Sequence, residues 1–189
     1  MEIIPDYCII AALIPKVMII TPLLPNESYG YYDRYIKKVP YQDLIHGLKE
    51  SSEEFLNFID KISDTKLDFR YQPDKWNVRE IMQHVIDCER VFAYRALRFA
   101  RKDKTPLAGF EEDDYARESN SGNRDITDLM VEYKNVRKAT IDLYKSFDES
   151  MIDQRGLANN LEISVRALGF IMIGHQIHHQ EVIKEKYLS

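Results

Sequence analysis

The sequence predicts an all-α protein, a four-helix bundle with a long connection between its second and third helices. Three observations carry this expectation. Apolar residues recur every three or four positions over four separate stretches, as in helices that bury one face. Residues suited to cap a helix N-terminus open the last three of these stretches. No stretch alternates with period two long enough to demand a sheet, and 7 Gly and 7 Pro in 189 residues are few for a β-sandwich.

The first helix is expected from Tyr41 onward, where Leu44, Ile45, Leu48, Phe55, Phe58, Ile59 and Ile62 form the stripe, with one gap at Ser51 and Ser52. Asn77 stands three residues before Glu80, the capping-box spacing. It opens a second helix with Ile81, Met82, Val85, Cys88, Phe92, Ala96 and Phe99 on one face, ending near Arg101. Asp125 caps a third, carrying Leu129, Met130, Tyr133, Val136, Ile141, Leu143 and Tyr144. Ser164 caps a fourth that runs to about Tyr187, with Leu168, Met172, His175, His179 and Val182 facing inward. Four amphipathic helices in one domain imply a bundle. The connection from about Lys102 to Arg124 is long enough to let neighbouring helices run parallel, and Asp113–Ala116 can form a short extra helix within it.

Residues 1–40 differ from the rest and are expected to be an apolar arm packed on the domain or on a partner subunit, with the bundle over 41–189. Cys8 to Ile14 is an apolar run of seven, closed by Pro15. It is too short to cross a bilayer, which takes about 20 residues. Acidic Glu2 and Asp6 do not fit a secretory leader. Met18 is an alternative start, with 1–17 as an upstream extension. A net charge of -5 from 26 basic and 31 acidic residues argues against nucleic-acid binding through phosphate neutralisation. Cys8 and Cys88 cannot make a disulfide framework, which suits a reducing, cytoplasmic setting.

The histidines carry the chemistry. His175 and His179 are four apart, about 40° around a helix, so their rings project from one face. His84 lies between Ile81 and Val85 on the inward side of another helix. Three imidazoles in an apolar core are costly without partners, and a divalent ion resolves that cost while leaving a fourth position open. The competing reading is two hydrogen-bonded core histidines, and His178 competes with His179 as the partner of His175. His46 falls outside its stripe and is expected at the surface. The residue after His175 is Gln176, so the His-Glu-x-x-His protease pattern is absent. Three histidines without a thiolate fit zinc or nickel, with iron also compatible.

These residues also carry a resemblance. The segment Lys75-Trp76-Asn77-Val78-Arg79-Glu80, then His84-Val85-Ile86-Asp87, resembles the second-helix signature of the DinB/YfiT-like superfamily. Phe92 to Arg101 and Thr105 to Tyr115 are similar to one branch of it, and Gly174-His175-Gln176-Ile177-His178-His179 resembles its C-terminal motif. The resemblance implies one metal ion on His84, His175 and His179, and a homodimer. It also implies a metal-dependent thiol S-transferase of the bacillithiol and mycothiol type, joining a small-molecule thiol to an electrophile. A metal-dependent amide or ester hydrolase is the alternative, and a non-catalytic metal- or ligand-binding stress protein a third. Asp87, three residues after His84, is the expected proton acceptor beside the metal, against an ion pair with Arg90. Arg95 and Arg98 offer guanidiniums to a substrate carboxylate, against a solvated or salt-bridged role for at least one. Trp76 is expected to anchor the core, and Cys88 to be a buried thiol.

Overall fold

The computed structural model describes residues 19–22 and 27–188. Along them run α1 (Asp33–Ile36), α2 (Leu44–Ile59), α3 (Asp64–Leu67), α4 (Val78–Ala100), α5 (Glu112–Glu118), α6 (Ile126–Lys145), α7 (Glu149–Ile152), β1 (Arg155–Ala158), β2 (Leu161–Ser164) and α8 (Val165–Lys186). The four long helices are those that the sequence predicts, and their starts follow from local chemistry. Asp43 accepts the His46 backbone N–H at α2, and Asp125 accepts that of Thr127 at α6. Ser164 accepts that of Ala167 at α8. At α4 the capping box is complete: Asn77 Oδ1 accepts the Glu80 N–H, and Glu80 Oε2 accepts the Asn77 N–H. The first helix stops at Ile59, short of the expected Ile62, which closes a turn onto the Ile59 carbonyl.

The order around the bundle is α2, α6, α4, α8. Arg90 on α4 pairs with Glu132 on α6, and further along Arg101 lies over the Phe147 ring just past α6, so these two helices run parallel. The Trp76 carbonyl, just before α4, accepts the hydroxyl of Tyr187, just past α8, so α4 and α8 are antiparallel. Leu44 faces Gly169 and Lys184 lies over Phe58, so α2 runs with α8. Two up and two down, with like directions side by side, require a return path between α4 and α6. Residues 101–125 supply it. They run back along α4, bridge Leu107 to Ala158, form α5 and end beside the α4 cap.

One short hairpin was not expected. β1 and β2 pair antiparallel, turning at Asn159 and Asn160 with φ of 48° and 60°. Two left-handed residues make the tight turn that matches strand twist, and asparagine tolerates that region better than most residues. Four-residue strands are too short for their alternation to stand out.

Of the expected N-terminal arm, the Met18 start and the Cys8–Ile14 run lie outside the described residues. Within the described part, Ile20, Tyr29 and Tyr35 are buried. The Ile20 N–H donates to Asp43 and its carbonyl accepts from Leu44. α1 lies against α8 closely enough that Gly174 has no room for a side chain beside the Tyr35 carbonyl.

The core has two apolar clusters. One gathers Phe92, Phe99, Tyr144, Leu168 and Met172, the other Phe55, Ile81, Val85, Tyr133 and Ile183. Each buried Leu or Phe contributes about 1.5–3 kcal/mol. Between the clusters runs a polar layer: His84, His175, Gln176, Glu89, Arg137 and Ser51 are all buried.

Candidate metal centre

Each histidine is delivered by local helix geometry. His175 and His179 are one turn apart on α8, and His84 stands one turn before Cys88 on antiparallel α4. His175 Nε2 lies 3.1 Å from His84 Nε2 and 3.1 Å from His179 Nε2. One ligand nitrogen from each ring falls within 4.8 Å of the others. Tetrahedral ligands at zinc–nitrogen distances of about 2.0–2.1 Å would sit about 3.3 Å apart, so the spacing suits one small cation. Hydrogen bonding alone does not suit it: His175 Nε2 has either one proton or one lone pair, yet faces two nitrogens. A divalent ion takes all three lone pairs.

The surroundings favour neutral rings. Burial pushes His84 down to about 4, with His178 adding to the effect. Burial, reinforced by the neighbouring histidines, holds His175 and His179 well below the usual range. Neutral imidazole is the form that ligates metal. Aromatic rings fix the geometry: Trp76 packs on His84 at 4.7 Å between centroids, and Tyr35 meets His175 edge-on at 5.2 Å. Phe92 stands 6.2 Å from His175 on the other cluster's side.

Among the described residues no further histidine, cysteine or carboxylate joins this group. His178 faces Tyr35 at 5.4 Å, and Glu181 pairs with Lys38. Cys88 Sγ lies 3.7 Å from the His84 ring, and burial raises its pKa well above the thiol range, so it stays protonated. His46 is exposed. Asp87 is the one predicted site residue that the structure does not bring to the triad. Its carboxylate accepts from Gln83 Nε2 at 3.0 Å and from Arg90 at 3.3 Å, on the side of α4 that faces α6. The helical angle put it near His84; the Arg90, Arg124 and Glu132 network across α4 and α6 turns it away.

A cleft of about 720 Å³ opens over His179. Trp76, Tyr71 and Val182 give it an apolar wall, and Arg70, Lys75 and Arg117 give it positive charge beside Asp74 and Asp113. The sequence marks Trp76 as a core anchor and Val182 as an inward residue but not the wall they form, nor Tyr35, because these residues come from separate loops and helices and meet only on folding.

None of the curated proteins matches this sequence. Among solved structures, YfiT from Bacillus subtilis, described as "a probable metal-dependent hydrolase with an unusual four-helix bundle topology", is similar with a TM-score of 0.70 and 16% identity. The match covers 86% of this chain and 90% of that one, and at this identity the likeness shows the fold. The profile of the DinB superfamily matches residues 48–183, most of the bundle and all three histidines. The chain is a member of the DinB superfamily.

Proposed function

We propose that this protein is a metal-dependent thiol S-transferase, joining a low-molecular-weight thiol to an electrophilic small molecule. The observation that carries the reading is the convergence of three neutral imidazoles with no fourth protein ligand among the described residues, beneath an open cleft. A divalent ion bound there, zinc or nickel by imidazole preference, supplies Lewis acidity that turns a thiol into a thiolate near neutral pH. His84, His175 and His179 hold that ion. Trp76, Tyr35 and Phe92 lock the rings and keep water from their far sides. The charged and aromatic cleft wall receives the rest of the thiol and its partner. Free, buried Cys88 agrees with a reducing, cytoplasmic setting, and a homodimer belongs to the same reading.

Hydrolysis of an amide or ester is the second reading, favoured by the description of YfiT. A metal-dependent hydrolase draws on a group that protonates the leaving amine or alkoxide. Among the described residues no carboxylate oxygen joins the three ligand nitrogens, and the carboxylates nearest to them in sequence are engaged: Glu181 by Lys38, Asp87 by Gln83 and Arg90, Glu80 by Arg70 and Asn77. A bound thiol and a bound water are acidified alike by the ion, each releasing its proton to solvent, so the two readings part at the leaving group that a hydrolase must protonate.

The test is conjugation of bacillithiol, mycothiol or glutathione to a fluorogenic electrophile by protein with known metal content. Thiol-dependent product that disappears on metal removal supports the transferase. Ester or amide cleavage with no thiol present selects the hydrolase.

A further inference from the structure

Two arginines are nearly as buried as the core leucines, and among the described residues only one has a counter-ion. Arg137 is held by Glu89. Arg95 is 3% exposed, and no carboxylate among the described residues forms an ion pair with it. Its Nη2 donates to the Ala108 carbonyl at 3.0 Å, and its guanidinium lies 5.8 Å from the Phe92 ring centroid and 5.9 Å from that of Phe110. A guanidinium has five donors. The Tyr32 hydroxyl is a second hydrogen-bond partner of this guanidinium, and among the described residues only Arg137 Nη2 is a sealed side-chain nitrogen without a partner, so any Arg95 donor left over keeps a point of contact with solvent. A largely buried charge without a counter-charge is expensive, and a small anion that reaches its remaining donors relieves it.

The position of Arg95 relates it to the metal centre. Phe92 touches both, its ring 6.2 Å from that of His175 and 5.8 Å from the Arg95 guanidinium. Arg95 therefore lies no farther from His175 than these two distances end to end, within the span of one small molecule. Arg98, the other candidate in the sequence, is already paired with Asp103.

We propose that Arg95 recognises a carboxylate of the substrate, so that the thiol or the electrophile is an anionic molecule reaching from the metal centre past Phe92 to the Arg95 guanidinium. This rests on the proposed small-molecule chemistry at the triad. Arg forms paired, planar bonds to a carboxylate, whereas Lys offers only a point charge.

The test is calorimetric titration of the zinc-loaded full chain with three probes: glutathione, its diethyl ester, and S-methylglutathione. Wild type should bind glutathione at least tenfold more tightly than the ester. Arg95→Met should bring the two within about threefold, and Arg95→Lys should keep part of the preference. Melting separates recognition from packing: Arg95→Met removes an unpaired charge and should melt at or above wild type. No acid preference in wild type, an unchanged preference in Arg95→Met, or a collapse of that variant's stability overturns the proposal. If S-methylglutathione binds as glutathione does and depends equally on Arg95, carboxylate recognition stands and the metal-thiolate reading falls.

Discussion

Arg137 on α6 grips Glu89 on α4 in the middle of the bundle, its Nε 2.8 Å and 3.0 Å from the two carboxylate oxygens, with both side chains at most 2% exposed. The same guanidinium donates to the Leu48 carbonyl and Ser51 Oγ on α2, so one buried ion pair ties three helices. Burial works against the Arg137 charge, but Glu89 outweighs it and holds the guanidinium above its ordinary range. The pair fixes two parallel helices in register where the polar layer crosses the core.

Removing one partner leaves the other charge buried and alone. Glu89→Leu is expected to lose about 3–5 kcal/mol, whereas Glu89→Leu with Arg137→Met should recover most of that loss. Urea denaturation of the two variants checks this, and equal losses in both would mean that the pair itself adds net stability.

Each of His84→Ala, His175→Ala and His179→Ala should weaken metal binding by more than the roughly 10–100-fold typical of losing an outer partner of a ligand. His178→Ala should keep one metal per chain, because that ring faces Tyr35. Elemental analysis after dialysis decides between them. Metal at about 100 times its dissociation constant should stabilise wild type by about 2.7 kcal/mol, and the single-ligand variants much less.

The metal-free protein should lose stability in acid through the same rings. Their folded-state pKa values lie below the unfolded value near 6.5, with His84 at about 4. The unfolded chain then takes up protons that the folded triad refuses, so this contribution is complete above pH 6.5 and falls away as pH drops toward 4. The slope is on the order of 1 kcal/mol per histidine per pH unit. Melting of chelator-treated protein from pH 8 to pH 5 should show it, and replacing all three rings with apolar residues should flatten it.

Gly174→Ala places a methyl group against the Tyr35 carbonyl, a backbone atom with little freedom to move. The better helix propensity of alanine, about 1 kcal/mol, is outweighed by overpacking of about 1–3 kcal/mol or more. A melting temperature lowered by several degrees, with weaker metal binding through the adjacent His175, is expected. An unchanged melt would show that α1 yields easily.

Asp87→Asn keeps the bond from Gln83 and loses the charge that faces Arg90. Metal content should be unchanged, and activity should stay within a few-fold of wild type. A hundredfold loss in kcat with metal retained would return Asp87 to proton transfer.

What the sequence determined was local. The Asn77–Glu80 box, the Asp125 and Ser164 caps and the three-and-four spacing of apolar residues set the last three long helices, and the same spacing alone marked the first, because caps and periodicity act within a turn or two. His175 and His179 share a face for the same reason, and His84 was marked by being polar on an apolar stripe. Tertiary structure decided which rings meet and what surrounds them. It ran α4 and α6 parallel, turned Asp87 toward Arg90, set Tyr35 and Trp76 against the triad and buried Arg95 with no ion-pair partner among the described residues. Those outcomes depend on contacts between segments tens of residues apart, and a residue's own neighbours in the chain carry no record of the partner that folding brings to it.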